Sequence, residues 1–431
     1  MKNKIIIINL FILAIIFIHC SKNNNNIILA KYNGGQLTQS ELIARISKNK
    51  FDKVSVSKSF INTIQEYANK KIVFDHSDKL IDDKGVNNEI QRIANDQKLK
   101  QVLDNLLKNY TINDSIIDFI YSSELTKYTI QDIVITHRLS YSQHKDRSPK
   151  EAYEIAKHIR GRIETKQISF DEAVSIYAEH PSVELRKGIM GPLPYGKLPK
   201  EFNDLIWQSS PGDIVGPIET KFGYHVFKTL KKENEDASQI KNRKKAIKNE
   251  IKGGRYGYLD EYTDTQADKW FRLFGGEIYI ENIDTLWQIA DNIGLFEIPN
   301  GVSILRLNET GYTKPVAKIN NQILNVDWFI KRAKEHGTFK KSRFVKGYFL
   351  YNTLKDLLHR HSSIMWFDKS NTIFNHQITD QSIKIKQENY LFETFMKQEM
   401  KKDSTLTNSV ILNRLAIKYD LEINNDVINP N

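Results

Sequence analysis

The sequence predicts an α+β protein in which a small, antiparallel-rich sheet unit is inserted between two mainly helical regions. Apolar residues recur at helical spacing on both sides of residues 129–232. Inside that segment, strands rich in β-branched residues alternate with amphipathic helices. The 431 residues, 40% hydrophobic and 27% charged, suffice for two or three domains with packed cores.

Residues 1–19 predict an export signal that is not part of this fold. Lys2 and Lys4 precede an apolar run over 5–18, which is short for a membrane span of about 20 residues. The run leads to Cys20, the only cysteine of the chain. The pattern resembles a bacterial lipoprotein signal, in which this cysteine carries the lipid. Because His19 replaces the usual small residue, an uncleaved anchor or an ordinary secretory signal stays open.

The signal places the protein in the bacterial cell envelope. We expect it to be lipid-anchored at the outer membrane and to face the periplasm, with residues 20–26 as a polar tether. A single cysteine fits an oxidising compartment, where a stray thiol is a liability.

Residues 27–128 predict a helical N-terminal region that opens with a strand and a turn. Gly34 and Gly35 supply the turn, since glycine tolerates positive φ. Thr38 and Glu41 have the spacing of a capping box at the start of a helix. Apolar residues at helical spacing then predict further helices up to about residue 123.

Residues 129–232 predict the sheet-containing unit. Ser148 with Pro149, and Ser169, stand where helix caps are expected. The predicted order is a strand, two helices, a Gly- and Pro-rich stretch, a short helix and two strands, at 128–135, 149–164, 169–177, 181–199, 200–208, 214–219 and 224–230.

Residues 233–431 predict a mainly helical C-terminal region that packs with the N-terminal one. Its predicted helices cover 237–252, 326–334, 344–359 and 387–401. Residues 30–42 align without gaps to 317–329, with four of thirteen positions identical. A true repeat, shared turn chemistry and chance all remain open. The C-terminal aromatic residues predict helix core, with a groove for unfolded apolar segments as the alternative.

The net charge of +11 does not predict a nucleic-acid partner. Lysines are spread among many acidic residues, and an exported protein seldom meets nucleic acid. The dense basic run over 241–252 alternates with isoleucines, as on the solvated face of a helix. Attraction to an anionic membrane or to acidic client segments is the alternative.

Six short motifs occur in one order between residues 136 and 226. They are Thr136-His137-Arg138-Leu139, Ala178-Glu179-His180-Pro181-Ser182, Lys187-Gly188-Ile189-Met190-Gly191, Tyr195-Gly196-Lys197-Leu198-Pro199-Lys200-Glu201-Phe202, the stretch 211–220, and Phe222-Gly223-Tyr224-His225-Val226. Together they resemble the parvulin-type (PpiC-type rotamase) peptidyl-prolyl cis-trans isomerases. Outside this segment the layout alone is similar to the SurA-like extracytoplasmic foldases.

The resemblance implies a set of site residues. Met190, Leu198 and Phe202 match the positions that line the proline pocket; core packing is the alternative for each. His137 and His225 match the family's facing histidine pair in a hydrogen-bonded network, which Thr220 joins through its hydroxyl. The pair either contacts substrate or holds the fold by fixing tautomers.

His180 departs from the resemblance. The family has Asp or Cys there, beside the isomerising amide, whereas a neutral imidazole brings no negative charge. Lys187 likewise replaces the first glycine of a usual pair. Lys145 and Arg147 are too few to predict a preference for phosphorylated clients. Isomerisation requires no cofactor or metal, and neither a metal-site spacing nor a phosphate-binding glycine motif is visible.

Two functions follow from this pattern. The first is a prolyl isomerase and chaperone that twists X–Pro amides in an apolar pocket and assists unfolded or proline-containing exported polypeptides. The alternative, favoured by His180, is a non-catalytic periplasmic holdase or assembly factor that uses the same fold to bind peptides. A structural envelope lipoprotein is a third possibility.

Overall fold

The computed structural model describes residues 27–427 except 143, 145, 180–185, 236–242, 296–301, 337–342 and 345. The export signal, Cys20 and the tether therefore lie outside the described residues. The chain forms two compact units. One contains the described parts of Met1–Leu80 and Glu388–Asn431, and the other is Ile81–Gln387.

The N-terminal part begins with a β-hairpin followed by helices, as predicted. The capping box at Thr38 is confirmed: the Thr38 hydroxyl accepts from the Glu41 N–H, and the Glu41 carboxylate accepts from the Thr38 N–H. The elements are β1 (Ile28–Tyr32), β2 (Gly35–Thr38), α1 (Gln39–Ile46), α2 (Lys48–Ser55), α3 (Phe60–Asp75), α4 (Asp78–Ile81), α5 (Lys84–Asn109) and α6 (Asp114–Glu124).

The middle part is an antiparallel four-stranded sheet with helices on both faces. Capping boxes at Ser148 and Ser169 start its first two helices, which confirms both predicted caps. The elements are β3 (Thr126–Ile135), α7 (Pro149–Glu164), α8 (Phe170–Tyr177), β4 (Ile189–Pro194), α9 (Lys200–Gln208), β5 (Ile214–Thr220) and β6 (Gly223–Asn234).

The C-terminal part is mainly helical, with short strands between the helices. Its elements are α10 (Arg243–Lys252), α11 (Tyr258–Leu273), β7 (Glu277–Ile278), α12 (Ile280–Asn292), β8 (Val302–Ser303), β9 (Ala317–Ile319), β10 (Gln322–Leu324), α13 (Val326–Glu335), β11 (Arg343–Phe344), α14 (Gly347–Lys369), α15 (His376–Lys402), α16 (Asn408–Lys418) and β12 (Glu422–Ile423). Short 3-10 helices lie at Arg255–Gly257, Ile304–Thr310 and Asn425–Val427.

The four-stranded sheet has the order β4-β3-β6-β5 and separates two cores. On one face Ile133, Ile135 and Val226 pack against α7 and α8. On the other face Tyr128, Ile130 and Phe227 pack against α9, with α6 and α10 adding to the cluster. Because side chains alternate along a strand, a single pair of central strands supplies both cores.

Within the sheet unit, strand β4 was not predicted from the sequence. We interpreted residues 181–199 as a Gly- and Pro-punctuated stretch, yet Ile189–Pro194 pairs antiparallel with β3. It is an edge strand of the sheet, and an edge tolerates the prolines that signal a loop elsewhere. Strand β3 also starts at Thr126, so the predicted boundary at residue 129 falls inside it.

Two predicted C-terminal helices have different bounds in the structure. The helix predicted at 344–359 starts at Gly347 and continues to Lys369, and Phe344 belongs to a strand. The helix predicted at 387–401 begins already at His376. Of the predicted linker helix, Arg243–Lys252 is observed, and residues 237–242 lie outside the described part.

The described part of the basic run, Arg243–Lys252, has the amphipathic form that its spacing predicts. Ile247 and Ile251 are fully buried. Arg243 forms ion pairs with Glu124 and Glu250, both at 2.6 Å. The described cations of α10 thus face outward, while its isoleucines anchor the helix to the sheet unit.

The two similar segments fold alike. Residues 30–42 and 317–329 each form a two-stranded hairpin followed by a helix. Thr38 and Asn325, which are aligned, both cap their helices by accepting from the N–H three residues later. Each hairpin also gains a third antiparallel strand along its first strand, β12 beside β1 and β7 beside β9.

In the first unit, the ends of the described chain pack together. Strand β12 pairs with β1 through Ala30 with Ile423 and Lys31 with Glu422. The buried guanidinium of Arg45 donates to both carboxylate oxygens of Glu388, at 2.9 and 2.6 Å. Their side chains are only 5% and 2% exposed, so this ion pair lies in the interior of the unit.

Candidate prolyl isomerase site

His225 lies at the centre of a buried polar chain on β6. Its Nδ1 is 2.8 Å from Oδ2 of Asp132, and its Nε2 is 2.8 Å from the Thr220 hydroxyl. That hydroxyl also accepts the Phe222 N–H at 3.1 Å. The pattern is satisfied when neutral His225 carries its proton on Nδ1, donates to Asp132 and accepts from Thr220. The ring is therefore held at both nitrogens.

An apolar group packs above this chain. The Phe202 ring, fully buried on α9, lies 4.8 Å from the His225 ring between centroids. Half-buried Met190 and Leu198 pack against the same cluster. The structure thus collects the three residues predicted for the proline pocket on the β6 face that carries His225.

His137 follows β3 and differs from His225 in its bonding. Its Nδ1 accepts the Leu139 N–H at 3.2 Å, so the neutral ring carries its proton on Nε2. Within the described residues Nε2 is buried without a hydrogen-bond partner, and no hydrogen bond joins the two histidines. Burial, followed by the charges of Arg138 and Arg147, lowers the pKa of His137 to about 4. His137 is therefore neutral at pH 7.

Glu179 anchors the chain immediately before His180. Its carboxylate accepts from the N–H and the hydroxyl of Thr136, both at 2.7 Å, and pairs with Arg147 at 2.6 Å. Arg147 is thus engaged within the domain. His180 lies outside the described residues, and its predicted role stays a prediction.

A cavity of about 830 Å³ opens beside these groups. His137, Thr220 and Leu198 line one side of it, with Leu139 and Phe222. Helix α14 of the C-terminal part also lines the cavity. The remaining lining residues are Lys197, Pro199, Glu201, Glu219, Lys221, Tyr348, Tyr351, Asn352 and Lys355.

The cavity brings together only part of the predicted set. His137, Leu198 and Thr220 line it, whereas Met190 and Phe202 lie in the core behind it. Sequence reasoning missed Asp132, although a lone acidic residue in a buried β-branched strand is a signal, because it requires a partner. It also missed the lining residues of α14, for which no local signal exists.

The described residues hold no group of His, Cys, Asp and Glu side chains that is suited to a metal ion. Among the helices of that part of the chain, none combines the length and the apolar character of a membrane span.

Comparisons with known proteins identify a family for this part of the chain. Residues 134–231 match the family described as Rotamase, PPIC-type PPIASE domain. The foldase protein PrsA of Clostridium tetani is 23% identical over 244 residues, which cover 48% of this chain and 68% of that protein. The chaperone SurA of Pseudomonas syringae pv. syringae is 25% identical over 135 residues, or 31% of this chain and 29% of its own length.

Solved structures include the peptidylprolyl isomerase PrsA from Bacillus cereus. It is 19% identical, with 57% of this chain and 91% of that chain covered and a TM-score of 0.27. A score this low does not describe a shared overall arrangement. From the residues, the matched family and the two foldase relatives together, residues 134–231 are a PpiC-type parvulin domain, in a chain similar to the PrsA and SurA foldases.

Proposed function

We propose that the chain is a peptidyl-prolyl cis-trans isomerase that also acts as a chaperone for exported polypeptides. The observation that carries this proposal is the cavity itself, which apolar Leu198 lines together with the polar groups of His137 and Thr220.

The chemistry needs no covalent step. Resonance keeps the X–Pro amide planar, with a rotation barrier of about 20 kcal/mol. A site that prefers the twisted amide over both planar forms lowers this barrier. In the proposal, Leu198 and the apolar residues behind it hold the proline ring and exclude water.

The histidines take different parts in this proposal. His137 bears its proton on Nε2 without a described partner, so it is the donor available to the carbonyl oxygen, which becomes more ketone-like as the amide twists. His225 is already bonded at both nitrogens and acts as a positioning residue beneath the pocket.

A proline-isomerisation assay on the mature chain tests the enzyme. A tetrapeptide containing one X–Pro bond exchanges over tens of seconds or more without a catalyst, and we expect acceleration in proportion to the concentration of the chain. L198N, at the cavity, should reduce kcat/KM. I176N, at an exposed isoleucine of α8 outside the cavity, should not. Absence of any acceleration by the wild type would reject the enzyme.

The holdase is the second candidate, and the replacement of the family's Asp or Cys by His180 favours it. It predicts suppressed aggregation of an unfolded client without faster isomerisation. Running both assays on one preparation separates the candidates, because the isomerase alone accelerates the tetrapeptide. If the chain neither accelerates isomerisation nor suppresses aggregation, the structural lipoprotein is the function that remains.

We further propose that Cys20 carries a lipid that holds the protein at the envelope membrane, as the signal in residues 1–20 suggests. The wild type should then incorporate a labelled fatty acid and sediment with membranes, while C20A does neither. Equal labelling of both proteins would contradict the anchor.

A further inference from the structure

The candidate isomerase cavity has a wall that does not belong to the rotamase domain. Helix α14 contributes Tyr348, Tyr351, Asn352 and Lys355 to the lining. Residues roughly 120 positions beyond the end of the domain thus form part of the surface that a peptide in this cavity would contact.

Several close contacts fix α14 in that position. A Cβ added to Gly347 would lie 2.3 Å from the Arg138 carbonyl oxygen, so the start of the helix touches the loop after β3. The same loop is held to α12 as well, because the Arg138 guanidinium donates to both oxygens of Asp284, at 2.7 and 2.6 Å. The Tyr141 ring packs edge-on against Tyr348 and Phe349, at 6.2 and 6.0 Å between centroids.

The cavity carries more cationic than anionic side chains. Lys197 precedes α9, Lys221 lies in the turn between β5 and β6, and Lys355 lies on α14. Among the described residues none of these three ammonium groups has a carboxylate within the 4.0 Å of an ion pair. Glu201 and Glu219 are the two acidic lining residues.

The two glutamates of the lining offset the charge of the three lysines only in part. Glu219 is an exposed residue near the end of β5, and partial desolvation raises the pKa of its carboxyl against the attraction of Lys355. His137 is neutral at pH 7. Burial also raises the pKa of Tyr348 and Tyr351, which keeps both phenols uncharged. The unpaired lysines are therefore the groups that a bound peptide can complement.

We propose that this cavity selects X–Pro segments that carry an Asp or Glu side chain next to the proline, with Lys355 of α14, Lys197 and Lys221 as the cations that bind it. The proposal rests on the proposed isomerase site and names its preferred client chemistry. A carboxylate placed among three unpaired ammonium groups gains charge-assisted hydrogen bonds that a neutral amide of the same shape lacks.

The test compares two tetrapeptides that differ only in Glu or Gln before the proline, both with an uncharged N-terminal block. At low salt we expect kcat/KM of the mature chain to be about threefold to tenfold higher for the Glu peptide, the effect of a partly solvated ion pair. K355Q should lower this ratio towards one, and about 0.5 M NaCl should do the same by screening. K150Q, at an exposed lysine of α7 outside the cavity, should keep the ratio.

Binding of labelled versions of both peptides, followed by fluorescence anisotropy, separates the two ways of failing. Equal kcat/KM and equal Kd for the peptides would overturn the charge preference and leave the isomerase intact. If neither peptide is isomerised, the proposed isomerase activity is rejected. The ratio of the two Kd values then decides by itself whether the cavity prefers the Glu peptide. A preference that survives in a K197Q/K221Q/K355Q variant would also overturn it.

Discussion

The imidazole of His225 is hydrogen-bonded at both nitrogens. These bonds fix the orientation of the ring, and this is how His225 can influence the pocket without lining it. Thr220 and Asp132 are themselves buried, so the three hydrogen-bonded side chains have few other hydrogen-bond partners within reach. Rotation of the ring would leave a buried donor or acceptor unpaired. The Phe202 ring packs against this fixed imidazole, with 4.8 Å between the ring centroids, and belongs to the apolar cluster on which Leu198 packs.

Removing the Thr220 hydroxyl should disturb this chain. T220V leaves His225 Nε2 and the Phe222 N–H without their partner, and we expect it to cost about 1–3 kcal/mol of unfolding free energy. T220S keeps the hydroxyl and should lie close to the wild type. Urea unfolding measures the cost, and ¹⁵N chemical shifts of His225 report its tautomer. Equal stability of T220V and T220S would contradict the hydrogen-bonded chain.

At the scale of the element, two helical glycines have opposite surroundings. Gly161 lies in the interior of α7, and a Cβ added there meets nothing within 4 Å. Gly347 begins α14, where the added Cβ would lie 2.3 Å from the Arg138 carbonyl oxygen. Alanine favours a helix over glycine at both sites, so only the surroundings differ.

We therefore expect G161A to stabilise the protein by about 0.5–1 kcal/mol, the usual helix propensity difference. G347A should instead destabilise it and displace the wall of the cavity, which lowers isomerase activity. Thermal unfolding and the tetrapeptide assay measure these effects. A G347A protein as stable and active as G161A would show that α14 does not pack on the loop after β3.

The buried ion pair between α1 and α15 gives the third expectation. R45M leaves the Glu388 carboxylate buried without its partner, which should cost about 3–5 kcal/mol. The exposed Lys48–Asp52 pair, 64% and 53% exposed, provides the control, since K48M should cost less than about 1 kcal/mol. Hydrogen exchange of the α1 and α3 amides measures the stability of the first unit itself. Similar protection of these amides in R45M and K48M would contradict the expectation.

Local chemistry explains which elements the sequence predicts. Helices α1, α7 and α8 have capping boxes, in which the side chain and the backbone of four consecutive residues define the start. Strand β4 contains Gly191, Pro192 and Pro194, so its local chemistry indicates a loop. Only pairing with β3, more than fifty residues earlier, makes it a strand.

At the scale of the whole molecule, some site residues lie in local sequence motifs and others are brought to the site by long-range contacts. His137, Leu198 and Thr220 belong to local motifs, and the structure places all three at one cavity. Asp132 and Lys355 belong to no motif. Their positions depend on the pairing of β3 with β6 and on the packing of α14, and such long-range contacts leave no pattern of spacing in the sequence.

Three histidines, buried or partly buried, make the stability of the whole molecule depend on pH. Burial, helped by nearby arginines, lowers the pKa of His137, His336 and His361 to about 4. In the unfolded chain a histidine takes up its proton near pH 6.5. The unfolded state therefore binds more protons between these values, and the unfolding free energy falls as the pH is lowered from 6.5 towards 4.

Above pH 6.5 this contribution should be constant. Full protonation costs roughly 2–4 kcal/mol for each histidine, and the raised pKa of Glu219 works in the opposite direction. Urea unfolding at several pH values measures the slope, and H137Q should make it shallower. Stability that is constant or rises from pH 6.5 to 4.5 would contradict the neutral buried imidazoles.

The pairing of β12 with β1 has a consequence for the order of folding. The first unit needs residues 28–32 and 422–423 at once, so it closes a loop of nearly four hundred residues. Ile81–Gln387, by contrast, is one continuous segment. During N-to-C-terminal synthesis, residues 134–231 and α14 are therefore made before β12, the partner of β1. A chain that ends before residue 422 would keep every lining residue of the cavity and leave the edge of β1 that β12 covers unpaired.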